Sequence, residues 1–172
     1  MDKRICYMGK TSDEHQETLL DDVKNVPAKR INIVSIKLVR EASFLYDKRR
    51  ISSPSEAYEL GKGFLEESDR EQLMVCCLDT KNQPLAINVV SIGTLNSALV
   101  HPREIFKAAI LCNSAGIILF HNHPSGDPTP SEDDIKATAR IKECGKLLGI
   151  ELLDHIIVGN DTFCSLKDKS FI

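Results

Sequence analysis

The stretch His121-Asn-His-Pro-Ser-Gly-Asp-Pro-Thr-Pro-Ser-Glu-Asp-Asp134 governs how the rest of the chain is read. Ahead of it runs Ala115-Gly-Ile-Ile-Leu-Phe120, which has the length and β-branched content of a buried strand. Behind it, Ile135 to Leu148 repeats apolar residues at helical spacing. The pattern is therefore strand, rigid Pro/Gly loop, helix. A scaffold of this kind holds polar loop residues in fixed positions, which is what chemistry requires.

Side chains alternate along a strand, so His121 and His123 point to one face, and two imidazoles there can chelate one metal ion. Pro124, Gly126, Pro128 and Pro130 fix the turn that returns the chain to a helix. Ser131 is a natural N-cap, and Asp134 falls three residues later in the first helical turn. Two His, one Asp and an open fourth position describe a catalytic rather than a structural zinc site, with one Zn2+ per chain. The same residues also permit a plainer reading, because Ser131-Glu-Asp-Asp134 makes a good capping box with no metal. The His-Asn-His string is not read as the nuclease motif abbreviated by those letters, whose histidines are spread over a ββα unit.

Outward from this centre, Glu151 to Val158 reads as another strand, Gly159-Asn-Asp161 as a turn, and Thr162 to Leu166 as a closing strand. On the N-terminal side, Pro102 opens a helix running to about Asn113, since Pro is tolerated in a first turn. Gly93 to His101 reads as a loop or irregular strand. Glu71 to Leu78 is a buried strand, Asp79 to Pro84 a turn, and Leu85 to Ile92 the hairpin partner. Ser53-Pro-Ser-Glu56 marks a helix start, with Ala57, Leu60 and Phe64 on its apolar stripe and an end near Glu67. Ile31 to Val39 and Ala42 to Tyr46 are two further strand candidates. Residues 1–28 are polar and read as a tail or short docking segment, which leaves 29–172 as the domain. The pattern is that of an α/β or α+β-like mixed sheet with helices packed on it.

The 172 residues suffice for one domain with a sizeable core. A formal charge of −3 and the absence of Trp give no whole-chain basic footprint for nucleic acid. The segment from Lys29 to Arg50 is locally basic, with Lys29, Arg30, Lys37, Arg40, Lys48, Arg49 and Arg50 against Glu41 and Asp47. That run suits either an anionic partner or the solvated charge that edge strands use against mispairing. Six cysteines lack metal-finger spacing, and no signal peptide precedes them, so free thiols in a reducing cytoplasm are expected. Adjacent Cys76 and Cys77 should pack on opposite faces of their strand. No apolar run approaches membrane-spanning length.

His-x-His, seven residues, Ser, two residues, Asp is the core of the JAMM (MPN-plus) metalloprotease motif. The words around it, His121-Asn-His-Pro-Ser-Gly126, His101-Pro-Arg-Glu104 and Asp154-His-Ile-Ile157, resemble the bacterial RadC branch, from about Ile33 to Leu166. The resemblance implies the cytidine-deaminase-like fold of the JAB/MPN domain. It also implies His121, His123 and Asp134 as metal ligands, with Glu71, at the start of an early strand, as general base. Ser131 would donate to the oxyanion formed at a carbonyl, and a hydroxyl can accept from backbone and donate to substrate together. RadC relatives usually carry a helix-hairpin-helix segment that this chain is not expected to contain.

The reading that results is a zinc-dependent hydrolase cleaving an amide or isopeptide-like bond of a peptide or other amide substrate. The alternatives are a DNA-repair-associated factor acting on or near nucleic acid, and a non-catalytic metal-binding interaction module. Asn122, between the two histidines, should face away from the metal. His155 is expected to be a hydrogen-bonded core histidine, and His101 to line the cleft or face water. Arg103 and Glu104 are candidates for an ion pair, and His15 for a solvated side chain.

Overall fold

Seven consecutive residues of the strand Gln72–Leu78 (β1) are apolar or polar without charge, and six of the seven are buried. A strand apolar on both faces belongs inside a sheet with helices on either side, and β1 lies there. The computed structural model describes residues 31–66, 68–93 and 101–172. The chain divides into two units, Met1–Ser35 and Ile36–Ile172. Of the first, residues 31–35 are described and are exposed without regular structure. The expected tail 1–28, including His15, lies outside the described residues, as do 94–100 of the expected loop.

The second unit contains helix α1 (Pro54–Leu65), β1, strand β2 (Pro84–Ile92) and helix α2 (Pro102–Leu111). Strand β3 (Gly116–Asn122), helix α3 (Glu132–Leu148), strand β4 (Glu151–Val158) and strand β5 (Phe163–Ser165) follow. The sheet order is β2-β1-β3-β4-β5. Pairing is antiparallel for β1 with β2 and β3, and for β4 with β5, but parallel for β3 with β4. Parallel neighbours need a long crossover, and here the loop after β3 and α3 supply it. This is a mixed α/β sheet consistent with the JAB/MPN fold.

Alternation along β1 and β3 feeds two cores. Met74, Cys76, Leu78, Ile118 and Phe120 meet α1 through Ala57, Leu60 and Leu65. Leu73, Val75, Cys77, Ile117 and Leu119 meet α2 and α3 through Ile105, Phe106, Ala109 and Ile141. Cys76 and Cys77 thus pack on opposite faces, as alternation requires. Odd-numbered β3 residues face α2 and α3, and this parity carries His121 toward α3 at the end of the strand.

The helix ends follow their sequence signals. Ser53 caps α1 with Pro54 next to it, and Gly149 ends α3 in the left-handed conformation at φ 69°. His101 caps α2 by accepting from the Arg103 amide, so it is used by the backbone. Arg103 and Glu104 form an exposed ion pair at 3.8 Å. The strands expected at 31–39 and 42–46 do not form: no regular structure spans 31–46, and Ile33, Val34, Ile36, Leu38 and Leu45 are exposed. Alternating apolar residues favour a strand only when a neighbour pairs with the backbone and covers one face; among the described residues no strand pairs with this stretch, and of its residues Tyr46 alone packs against the core. Among the described residues no helix is long and apolar enough to cross a membrane.

Candidate metal centre

Four of the five expected site residues, His121, His123, Ser131 and Asp134, lie where β3 passes into the loop and the loop into α3. His121 is the penultimate residue of β3 and is 3% exposed, on the α3 side of the sheet. His123 follows the strand, its amide still paired to the Val158 carbonyl at 3.0 Å, so it keeps strand direction and shares the face of His121. The Nε2 atoms of the two rings lie 2.9 Å apart.

Asp134 reaches the pair through a rigid loop. Gly126 adopts φ +82°, where a side chain is strained, and a Cβ there would also meet the Asn160 side chain at 2.6 Å. Its amide bonds the His123 carbonyl at 2.8 Å and its carbonyl accepts from the Asn160 amide at 3.0 Å. The turn is therefore tied to the β4–β5 connection. Ser131 then starts α3 with a full capping box: its hydroxyl accepts from the Asp134 amide, and the Asp134 carboxylate accepts from the Ser131 amide. The same carboxylate stands 3.4 Å from His121 Nε2 through Oδ1 and 3.5 Å from His123 Nε2 through Oδ2. Capping and convergence on the histidines coexist, because Asp134 uses one oxygen for the cap and still turns both toward the rings.

The electrostatics match this geometry. Burial pushes His121 down to about 4, with the Asp134 charge only partly opposing, so its ring is neutral. Asp134 is held well below the usual carboxylate range: burial works against this, but His123, His121 and Ser131 outweigh it. His123 is shifted upward, chiefly by its hydrogen bond to Asp134 and against its own burial. Its Nδ1 lies 2.7 Å from the Asp127 carbonyl, which can only accept, so Nδ1 carries a proton. Neutral His123 then points a lone pair from Nε2 at His121 and Asp134. One ligand atom from each of His121, His123 and Asp134 falls within 4.8 Å of the others. Electron-rich atoms this close repel unless a cation lies among them, and a proton on His123 is the smallest that serves. The set could hold a metal ion, and its N/N/O chemistry suits zinc among other transition metals.

Glu71 arrives from β1. Leu73 pairs with His121, and continuing that register by two brings Glu71 opposite His123. Its carboxyl is half-buried and shifted upward, first by burial, then by the Asp134 charge, with His123 pulling the other way. Asn122, turned to the opposite face from the histidines, holds this segment. Its Oδ1 accepts from the Gln72 amide at 2.8 Å and its Nδ2 donates to the Arg70 carbonyl at 2.9 Å. The two backbone groups flank Glu71, so the residue between the two histidines also fixes the carboxylate across from them. Period-two alternation shows only that Asn122 points away; the partners lie 50 and 52 residues distant and leave no local signal.

Beneath His121 lies a layer that spacing did not reveal. His155 Nε2 is 2.8 Å from His121 Nδ1, and His155 Nδ1 is 2.6 Å from the Thr138 hydroxyl of α3. Burial drives His155 well below its ordinary value, so it too is neutral. Its neighbour Asp154 accepts from the Ser165 hydroxyl and from the amides of His155 and Lys167. These bonds fix the β4 backbone under the ring.

The model of the RadC-like JAB domain matches residues 51–171 of the chain. The chain is 52% identical over 125 residues to a UPF0758 protein of Methanosarcina barkeri, covering 73% of this chain and 55% of that one. It is 54% identical over 123 residues to one of Clostridium beijerinckii, covering 72% and 54%. With one of Desulforamulus reducens it shares 46% identity over 157 residues, covering 89% and 69%. The chain thus spans little more than half the length of the first two relatives, and none of the three names specifies a reaction.

Proposed function

The chain belongs to the RadC-like JAB domain family, and on that premise we propose that it is a zinc-dependent hydrolase of the JAMM type, cleaving an amide or isopeptide-like bond. The observation that carries this reading is the convergence of His121, His123 and Asp134 at one end of the sheet, with Glu71 brought in opposite. A zinc ion held by the two imidazoles and the carboxylate would polarise a carbonyl and make water acidic enough to attack near neutral pH. Glu71 then takes a proton at its carboxylate and returns it to the leaving nitrogen. A carboxyl shifted upward by burial and by Asp134 suits a group that must hold that proton for part of the cycle. Asn122 keeps Glu71 in place through the backbone on either side of it.

Ser131 is the donor for the oxyanion. At rest its hydroxyl proton is directed to Asp134 Oδ2 at 2.6 Å while its oxygen accepts from the Asp134 amide. Rotation about the Cβ–Oγ bond turns the proton toward a substrate oxygen, and the Ser131 amide continues to hold Asp134 at 2.8 Å.

A second reading, a nucleic-acid-associated role, draws on the exposure of Lys37, Arg40, Arg49 and Arg50 in the basic segment, where Lys48 is paired with Glu56 at 3.5 Å. DNA affinity falling steeply with salt supports that reading, and no binding at moderate salt rejects it. The test of the main proposal is the metal content of the purified chain beside His121→Ala/His123→Ala. About one zinc per parent chain and none in the variant is expected. A parent that takes up no zinc on reconstitution refutes the hydrolase and leaves an interaction module.

A further inference from the structure

His155 uses both ring nitrogens, although neither can reach the space shared by His121, His123 and Asp134. Its ring is 3% exposed, under His121 and against α3. The Thr138 hydroxyl that meets its Nδ1 also lies 2.6 Å from the backbone carbonyl of Asp134. A carbonyl has no proton to give, so the single hydroxyl proton of Thr138 points to Asp134. The hydroxyl oxygen must then accept, and the proton it accepts is on His155 Nδ1. A neutral His155 protonated there has its lone pair at Nε2, which accepts from His121 Nδ1 at 2.8 Å. His121 is left with its lone pair at Nε2, the atom that faces His123 and Asp134. Reversing the series would set a hydroxyl lone pair against a carbonyl oxygen at 2.6 Å.

We propose that His155 is a positioning residue which, together with Thr138, locks His121 in the Nδ1–H tautomer and so keeps its Nε2 lone pair available to a divalent cation. The inference deepens the proposed metal-binding reading and rests on it for its consequence, though not for the tautomer itself. Imidazole free in water favours the opposite tautomer, with the proton on Nε2, so without the lock His121 would often present a proton where a cation must sit. Metal-bound histidines commonly donate their second nitrogen to a carboxylate or a carbonyl. Here the acceptor is a second neutral imidazole, which orients the ligand without adding negative charge to the buried floor. The origin of the series is the Asp134 carbonyl, in the first turn of α3. The backbone of one candidate ligand therefore sets the proton position of another, 13 residues away in sequence and on a different element, through two side chains.

The experiment uses zinc-free protein labelled with 15N and reads the imidazole nitrogens by long-range proton correlation, followed by zinc titration of the same samples against a chelator. In the parent, His121 should show a single form protonated at Nδ1. Thr138→Val keeps the volume but removes the hydroxyl, so His155 loses the acceptor for its Nδ1 proton and moves that proton to Nε2. His121 should follow into the Nε2–H form, and zinc affinity should drop by roughly 10- to 100-fold. Thr138→Ser restores the hydroxyl and should restore both readings. A purely structural role predicts a different result: Thr138→Val melts earlier, but the His121 tautomer and the zinc affinity do not change, and that outcome overturns the proposal. If the parent binds no zinc, the metal reading fails while the spectrum still decides the lock. If Thr138→Val does not fold, the parent spectrum decides it alone, and His121 protonated at Nε2 or exchanging between forms refutes it.

Discussion

Acidification is expected to weaken zinc binding by one proton's worth, not two, because the three ligands titrate far apart. His121 is pushed by burial down to about 4, and Asp134 is held lower still by His123, His121 and Ser131. His123 moves the other way: its hydrogen bond to Asp134 raises it, against its burial, and the Asp127 carbonyl and the Glu71 charge add to the rise. Over the mildly acidic range the three candidate ligands of the metal-free site therefore take up a single proton, on His123 and directed at Asp134. Zinc must expel it. Because the free site binds this proton more tightly than an ordinary histidine and the zinc-loaded site does not bind it, affinity is full above the His123 pKa of the free protein and declines as the pH falls through it. The decline should be about tenfold, or about 1.4 kcal/mol, per pH unit. Among the three candidate ligands a second proton enters only near 4, on His121. Competition with a chromophoric chelator from about pH 5 to about pH 7.5, corrected for the chelator's own titration, reads the slope directly. Glu71→Gln removes a charge that helps hold the proton, so its curve should lie at lower pH. A slope of two throughout would show that His121 is not kept neutral by burial. A flat line through the acidic range would show that His123 is not a ligand.

Glu71→Gln should also keep its zinc while turnover falls by about 10²- to 10⁴-fold, the usual reach of a general base; undiminished turnover rejects the assignment. Ser131→Ala should cost about 1 kcal/mol in chemical denaturation through loss of the cap, and turnover about 10²- to 10³-fold through loss of the oxyanion donor. A drop in stability with turnover intact would leave Ser131 as a cap only. Asn122→Ala leaves the Gln72 amide and the Arg70 carbonyl without their partners, at a cost of about 1–3 kcal/mol. Zinc content should hold while turnover falls with the displaced Glu71, and parental turnover in a folded variant would remove Asn122 from its support.

Sequence periodicity carried the reading furthest where structure is local. The face shared by His121 and His123, the cap at Ser131, the return of Asp134 three residues later and the split of Cys76 from Cys77 all follow from a period of two or of 3.6. The same rule fails at 31–46, where an apolar alternation has no neighbouring strand to pair with among the described residues. Pattern describes which way side chains point, not whether a partner strand exists.

Likeness of motif, rather than any rule of spacing, singled out Glu71, and the antiparallel register of β1 on β3 then carries it to the histidines. By itself the sequence determined the candidate ligand types and the short path from strand to capped helix, because turn and cap geometry over a few residues is set largely by those residues. Only the tertiary structure decided what lies behind the candidate ligands: Asn122 holding backbone 50 residues upstream, and His155 holding a ring 34 residues before it. Such contacts are set by strand order and register, which no local pattern encodes. The proton positions they impose become fixed only when burial leaves each polar atom a single available partner.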